Sequence, residues 1–314
     1  MRKISVIIPS YNASATIPRC LQSLHEQQPD CEFEVIVVDS SDDGTEKLIE
    51  KTYHAVKLVH LPEKTMPSRA RNVGAAKATG EILAFTDSDC VPDRKWLENI
   101  AKNFGNGHEI VGGSVQNGRP ESWISRAEYY IEFREFSVNS PKREIRFLPS
   151  CNFAIARSLF EHIGGFPDVR ASEDTLFAHK LAEQGHKIIF DPEVKIKHLN
   201  RNKWRPYLKN QFILGKYAAV VRKVLPMPGG FFVKMPYAFP LLPWVRTLRT
   251  LQFILQNSFK DGLQQLFEFL LIYPIFFIGS MVWSYGFYCG IKTPEQEAVQ
   301  KGHVFCHSRE SGNL

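Results

Sequence analysis

The sequence predicts an α/β fold: a mostly parallel sheet, with membrane-associated helices after it. Three observations carry that prediction. Runs rich in Val and Ile alternate with helical patterns through residues 4–90; one run, EILAFTDSDC (81–90), passes straight into two aspartates; and residues 269–291 form an uncharged apolar stretch. The 314 residues, 44% of them hydrophobic, supply a sizeable core and set the chain apart from disordered sequences. Its six cysteines show neither paired spacing nor His/Cys clustering, so no disulfide framework or structural zinc is expected, which fits a reducing compartment.

Residues 4–10 (ISVIIPS) are the first strand, because the apolar run before Pro9 is too short for a signal-peptide core. A helix starts at Thr16, with Pro18 in its first turn and Ile17, Leu21 and Leu24 on one face. Residues 33–39 are the second strand, 45–53 a short helix, 56–61 a third strand, and 67–79 a helix stopped by Gly80. The stretch from 81 is the fourth strand, apolar throughout and so covered on both faces. Four strands separated by helices imply parallel pairing, which places Asp39 and Asp87 on one rim. Residues 110–117 read as a strand with internal glycines, 123–138 as an aromatic-rich helix, and 150–166 as a strand carrying Asn152 and Phe153 before a sharp turn at Gly164 and Gly165. Residues 172–185 read as a helix with Ser172 as N-cap, acids in its first turn and Gly185 as its stop.

Ligands of open α/β sheets collect outside the carboxyl ends of the strands. There Asp87 and Asp89 can share a hard divalent cation that bridges the oxygens of a diphosphate; a solvated turn or helix cap is the other way to read Asp-x-Asp after a strand. Asp39, an acceptor-only carboxylate, suits the imino N–H of uracil, thymine or guanine but not of adenine, or else caps its own loop.

Four ordered motifs, SVIIPSYN, VIVVDSSDDGT, ARNVGAAKATGEILAFTDSDC and the SED of 172–174, resemble family 2 glycosyltransferases of the GT-A fold, a Rossmann-like, mostly parallel sheet, over about residues 4–200. The resemblance implies that Pro9, Tyr11 and Asn12 line the nucleotide pocket, that Asp39 and Arg71 contact the base, that Asp87 and Asp89 hold ribose and metal-bound diphosphate, and that Asp174 is the catalytic base. Glu173 is its reserve, and capping alone also selects acids at that helix start. A base facing the sugar opposite the departing diphosphate inverts the anomeric centre. His198 either completes the shell of a manganese or magnesium ion or is a surface histidine, and Arg71 is otherwise a solvated helix residue. The implied donor is a nucleoside-diphosphate sugar, with a UDP-sugar favoured, and the acceptor a lipid-linked or cell-surface glycan. No Gln-x-x-Arg-Trp pattern marks a processive polymerase, so single addition is expected. A sugar nucleotidyltransferase, whose G-x-G-T-R loop is absent, and an inactive nucleotide- or lipid-binding scaffold are the rival readings.

Residues 201–260 hold eleven of the 39 Lys and Arg and none of the 33 Asp and Glu, so the overall +6 is regional and the remaining chain is net negative. No nucleic-acid-binding signature accompanies this charge; anionic lipid is the expected partner. From Trp244, Leu248, Leu251, Leu255 and Phe259 share a helix face, opposite Arg246, Arg249, Gln252, Gln256 and Lys260, as in a helix lying in a lipid interface. The expected division is a catalytic domain at 1–200, a basic amphipathic segment at 201–262, a transmembrane or re-entrant helix at 263–292 and a disordered tail at 293–314, whose end resembles translated intergenic repeats of some bacterial reading frames. Basic residues precede the apolar helix, which orients the catalytic domain to the cytoplasmic face of the membrane.

Overall fold

The computed structural model describes residues 2–169, 171–257 and 262–293. In chain order the first half contains β1 (Ile4–Ser10), α1 (Ile17–His25), β2 (Phe33–Asp39), α2 (Thr45–Thr52), β3 (Lys57–His60), α3 (Pro67–Lys77), β4 (Ile82–Thr86), β5 (Cys90–Pro92) and α4 (Trp96–Gly105). There follow β6 (Ile110–Asn117), α5 (Trp123–Glu132), β7 (Arg143–Ile145), β8 (Asn152–Ala156), α6 (Arg157–Ile163), α7 (Glu173–Glu183) and β9 (Ile188–His198). The last helices are α8 (Trp204–Val224), α9 (Phe231–Lys234), α10 (Leu242–Asn257) and α11 (Gly262–Lys292).

The strands of the described residues form one sheet in the order β3-β2-β1-β4-β8-β6-β9-β5, with β7 beside β9. β1 is buried along its whole length and pairs in parallel with β2 on one side and β4 on the other, as the fully apolar strands predict. The chain leaves β1 in opposite directions towards these neighbours, so the crevice outside their carboxyl ends is the switch point at which α/β sheets bind ligands. β8 then pairs antiparallel with β4, so the sheet is mixed beyond its first four strands.

Two later pairings shape the site. β5 runs antiparallel to β9 with Cys90 opposite His198, and the Leu199 amide donates to the Asp89 carbonyl at 2.8 Å, so a histidine far along the chain is tied to the aspartate motif. α7 is fixed to the sheet by rings: Phe177 lies 4.8 Å from Phe166 and 5.9 Å from Phe153, and Phe166 lies 5.2 Å from Phe85. Each such pair adds about 0.5–1.5 kcal/mol beyond area burial, so the start of α7 is held rigidly against β4 and β8. Gly165 (φ +72°) makes the turn that admits Asn72 Oδ1, which accepts from the Phe166 amide at 2.9 Å.

Three expectations are corrected. The helix expected over 123–138 ends at Glu132, and a 3₁₀ turn, Arg134–Phe136, follows. Ser172 precedes α7 but does not cap it through its side chain, because its left-handed backbone (φ 68°) turns the hydroxyl away. The polar face of α10 is not uniformly solvated. Thr247, Thr250 and Ile254 are its buried contacts, and Arg246 turns inward over the Trp283 ring at 4.3 Å, while Trp244, Leu248 and Leu255 are exposed. Phe259, Lys260 and all of the expected tail beyond Thr293 lie outside the described residues.

Among the described residues α11 is the helix long and apolar enough to cross a membrane, yet one of its faces is docked on α8, α5 and α10. Small residues permit this. A Cβ on Gly215 of α8 would stand 1.9 Å from the Trp283 carbonyl oxygen, and one on Gly286 of α11 would stand 2.2 Å from the Phe212 carbonyl oxygen. Tyr207, fully buried, donates to the Ile275 carbonyl at 3.1 Å.

Candidate active site

Asp87 and Asp89 follow β4 where the parallel part of the sheet ends. Arg71 reaches them from α3, which packs across β1 and β2. Its guanidinium is not solvated: it is 3% exposed and bridges two carboxylates, with Nη2 donating to Asp87 Oδ1 at 2.6 Å and Nη1 to Glu173 Oε1 at 2.9 Å. Burial works against its charge, but Asp87 and Glu173 outweigh burial and raise its pKa further. The bridge couples the aspartates after β4 to the acids at the head of α7.

Glu173 and Asp174 occupy different environments despite being neighbours. Glu173 is paired with Arg71. Asp174 makes no ion pair among the described residues; its Oδ1 accepts from the Thr175 amide at 2.7 Å, and burial, reinforced by the charge of Glu173, pushes its pKa up to about 7. Burial also raises Glu173, against the pull of Arg71.

Asp89 Oδ1 faces His198 Nε2 at 3.6 Å, and Asp89, Cys90 and His198 bring their ligand atoms within 4.8 Å of one another. Burial, then the hydrogen bond to Cys151, raises the Cys90 pKa, which keeps the thiol protonated and unsuited to a metal. The remaining carboxylate and imidazole are the donors that manganese or magnesium accept. His198 Nδ1 is buried without a partner among the described residues, and the ring is held between Asp89 on its Nε2 side and Phe133, 4.8 Å away. The residues fit a divalent cation.

One cavity of about 460 Å³ is lined by Arg71, Asp87, Asp89, Glu173, Asp174 and His198. Of the nucleotide-binding candidates, Arg71 and Asp87 line it and the other four do not. Pro9, Tyr11, Asn12 and Asp39 lie further along the same rim, where Pro9 pairs with Val38 and Ser10 with Asp39 across β1 and β2. Asp39 is fully buried and accepts from the Ser41 hydroxyl at 2.6 Å and the Ser41 amide at 3.0 Å, with His60 Nδ1 at 3.5 Å. Asn12 (φ 51°) ties the two loops together, donating its amide to Ser41 Oγ at 2.7 Å and accepting from the Asp42 amide at 3.1 Å. Half-exposed Tyr11 carries Lys64 Nζ 3.9 Å over its ring.

Sequence reasoning missed the far wall of the cavity, which comes from α5, α8, α10 and α11. Arg201 donates to both oxygens of buried Glu128, through its amide at 2.6 Å and Nη1 at 3.0 Å. Glu132 accepts from Asn210 at 2.8 Å and Gln211 at 2.7 Å, and burial together with the charge of Glu128 pushes its pKa up to about 8. Arg246 and Trp283 complete the wall. These residues share no motif; only the packing of the four helices assembles them.

The site thus has a crevice at β1 and β4, carboxylates on its rim and a helix-borne acid opposite. Residues 5–164 match the description "Glycosyl transferase family 2", and the chain belongs to that family. Glycosyltransferase AglE of Haloferax volcanii is 30% identical over 223 residues, 68% of this chain and 72% of that protein. The poly(ribitol-phosphate) beta-N-acetylglucosaminyltransferase TarS of Staphylococcus aureus is 37% identical over 199 residues, 60% of this chain but 34% of that protein. Among solved structures, mannosyltransferase PcManGT from Pyrobaculum calidifontis, in complex with GDP-Man and Mn2+, superposes with a TM-score of 0.61 at 22% identity, covering 93% of this chain and 87% of that one. This chain is therefore a glycosyl transferase with a GT-A-like fold, and the nucleotidyltransferase and inactive-scaffold readings give way to the family.

Proposed function

We propose that the protein transfers one sugar from a nucleoside diphosphate to a lipid-linked or cell-surface glycan acceptor with inversion, at the cytoplasmic face of a membrane. The observation that carries this reading is the pairing, in one cavity, of the candidate cation donors Asp89 and His198 with a partly buried carboxylate, Asp174, that makes no ion pair among the described residues and whose pKa is pushed up to about 7. A carboxylate titrating near neutral pH accepts a proton from an acceptor hydroxyl with adequate driving force while remaining substantially ionised.

The roles follow from the contacts. Asp174 takes the proton from the acceptor hydroxyl as its oxygen attacks the anomeric carbon and the bond to the diphosphate breaks. Arg71 positions Asp87 and Glu173 and is assigned to that task in place of the base contact implied by resemblance. A divalent cation held by Asp89 and His198, with Asp87 beside them, would neutralise the diphosphate as it departs. Pro9, Tyr11, Asn12 and Asp39 form the nucleotide end of the rim, and the Asp39 carboxylate accepts from the imino N–H of uracil or guanine alike; the favoured donor is a UDP-sugar. The docked helices α8, α10 and α11 rest their exposed apolar faces on lipid, with the sheet on the cytoplasmic side, where sugar nucleotides are made.

The test is a thermal-shift series with UDP and GDP, with and without Mn2+, followed by turnover of Asp174→Asn. Stabilisation that requires both nucleotide and Mn2+, and an Asp174→Asn variant that binds nucleotide normally but loses about 10²–10⁴-fold in turnover, are the expected results. Normal turnover of the variant would remove Asp174 as the base.

A further inference from the structure

The cavity wall opposite Asp174 continues into a cluster of arginines that the sugar-transfer reading does not use. Arg246 and Arg134 each have a buried Nε without a hydrogen-bond partner among the described residues. The Arg246 guanidinium carbon lies 4.3 Å over the Trp283 ring, while Arg134 uses Nη1 on the Tyr130 carbonyl at 3.1 Å. Arg222 is anchored from α8, with Nε on the Pro228 carbonyl and Nη1 on the Ala218 carbonyl, both at 2.9 Å. Arg249, one turn beyond Arg246 on α10, is exposed.

Burial lowers the pKa of Arg246 to about 9, helped by the charges of Arg134 and Arg222; burial also lowers Arg134 and Arg222, and both feel Arg249. The carboxylates nearby offset them only in part: Glu132 acts on Arg246 but is bonded to the neutral donors Asn210 and Gln211 and is itself pushed up to about 8, and Glu135 meets Arg134 at 3.4 Å. Crowded guanidiniums with unused donors form a prebuilt anion site, because planar forks match phosphate oxygens.

The surroundings say what carries the anion. Arg246 and Trp283 line the same cavity as Asp174. Outside the cluster, α10, which carries Arg246 and Arg249, exposes Trp244, Leu248 and Leu255, and α11, packed against it, exposes Phe267, Leu270 and Ile278. We infer that Arg134, Arg222, Arg246 and Arg249 bind the phosphate or diphosphate of a lipid-linked acceptor, whose hydrocarbon chain lies along the exposed faces of α10 and α11 while its sugar or hydroxyl end reaches Asp174. This rests on the glycosyl-transfer reading and selects the lipid-linked acceptor over a water-soluble glycan.

Binding to the full-length protein in detergent micelles tests it, with geranylgeranyl phosphate as probe and geranylgeraniol, inorganic pyrophosphate and phosphatidylglycerol as comparisons. UDP and GDP binding with Mn2+ is measured on the same samples. The wild type should bind geranylgeranyl phosphate at least about tenfold more tightly than geranylgeraniol, since charge-assisted hydrogen bonds dominate. Arg246→Gln should weaken it about ten- to hundredfold, and Arg249→Gln, an exposed change that leaves packing alone, by a smaller factor. Both variants should bind nucleotide as the wild type does. Equal binding of phosphate and alcohol, or unchanged binding in both variants, overturns the site. Equal binding of phosphatidylglycerol overturns the acceptor in favour of bulk anionic lipid, and pyrophosphate as tight as the prenyl phosphate overturns the role of the chain. A wild type that takes no nucleotide with Mn2+ yet prefers the prenyl phosphate overturns the glycosyl-transfer reading instead.

Discussion

Glu173 and Asp174 differ by one methylene in chemistry, yet Arg71 contacts only the first, so the second is left to titrate near neutrality. If Asp174 is the base, kcat/KM should rise with pH through an inflection near 7, because only the ionised form accepts a proton. Burial is the larger cause of the shift and the charge of Glu173 the next, so Glu173→Gln should move the inflection to lower pH; an inflection unmoved in that variant would detach the two acids. Stability carries the opposite sign. The folded state holds a proton on Asp174 that the unfolded chain has released, so stability should fall as pH rises from the ordinary carboxylate value of about 4 to about 7. Thermal melts across that window should show a shallower fall for Asp174→Asn than for the wild type. At the other end of the cavity, Asp89→Asn should abolish most turnover with an unchanged melting temperature of the nucleotide-free protein, and chelator should do the same to the wild type; full turnover in chelator would end the metal assignment. His198→Gln should mimic Asp89→Asn more weakly.

At the scale of elements, the first four strands and the acids on their rim were legible because each rests on local signals: an apolar run, a glycine or proline boundary, and a carboxylate just beyond. The partnership of Asp89 with His198 was visible only as two candidates, since the β5–β9 register that joins them is a long-range pairing. The wall of Glu128, Glu132, Arg201 and Arg246 was not legible at all, because charged residues at helical spacing look like any solvated face. Periodicity gave α10 its two faces but not which of them would meet protein, and Arg246 went inward because α11 offers Trp283 there. That docking depends on glycine. Gly215→Ala or Gly286→Ala drives a methyl into backbone of the facing helix, an overpacking that typically costs about 1–3 kcal/mol. Both variants should melt lower than the wild type and expose α11 to protease; melting at the wild-type temperature would mean that α8 and α11 separate in solution.

For the whole molecule, the decisive asymmetry is that the sheet end is net negative and ordinary in its surface, while the helical end combines eleven basic residues over 201–260 with a broad apolar face. α11 is docked along one side on α8 and α5, so under the proposed membrane attachment its outer face is the one that meets lipid. Removing α11 would uncover fully buried Tyr207, which donates to the Ile275 carbonyl, and a truncated chain would report misfolding rather than membrane affinity, so the test belongs on the full chain. Leu248 and Leu255 are 66% and 67% exposed, so Leu248→Glu with Leu255→Glu leaves the core untouched. Each leucine withdrawn from lipid forfeits about 1.5–3 kcal/mol of burial, which is about a tenfold change in partition or more. Basic residues near anionic lipid add about 1 kcal/mol each, but that attraction is screened by salt. The wild type should therefore co-sediment with anionic vesicles even in high salt, whereas the double variant should bind them only in low salt and release as salt rises. Wild-type protein recovered in the supernatant after a salt wash would show that the apolar face meets something other than a bilayer.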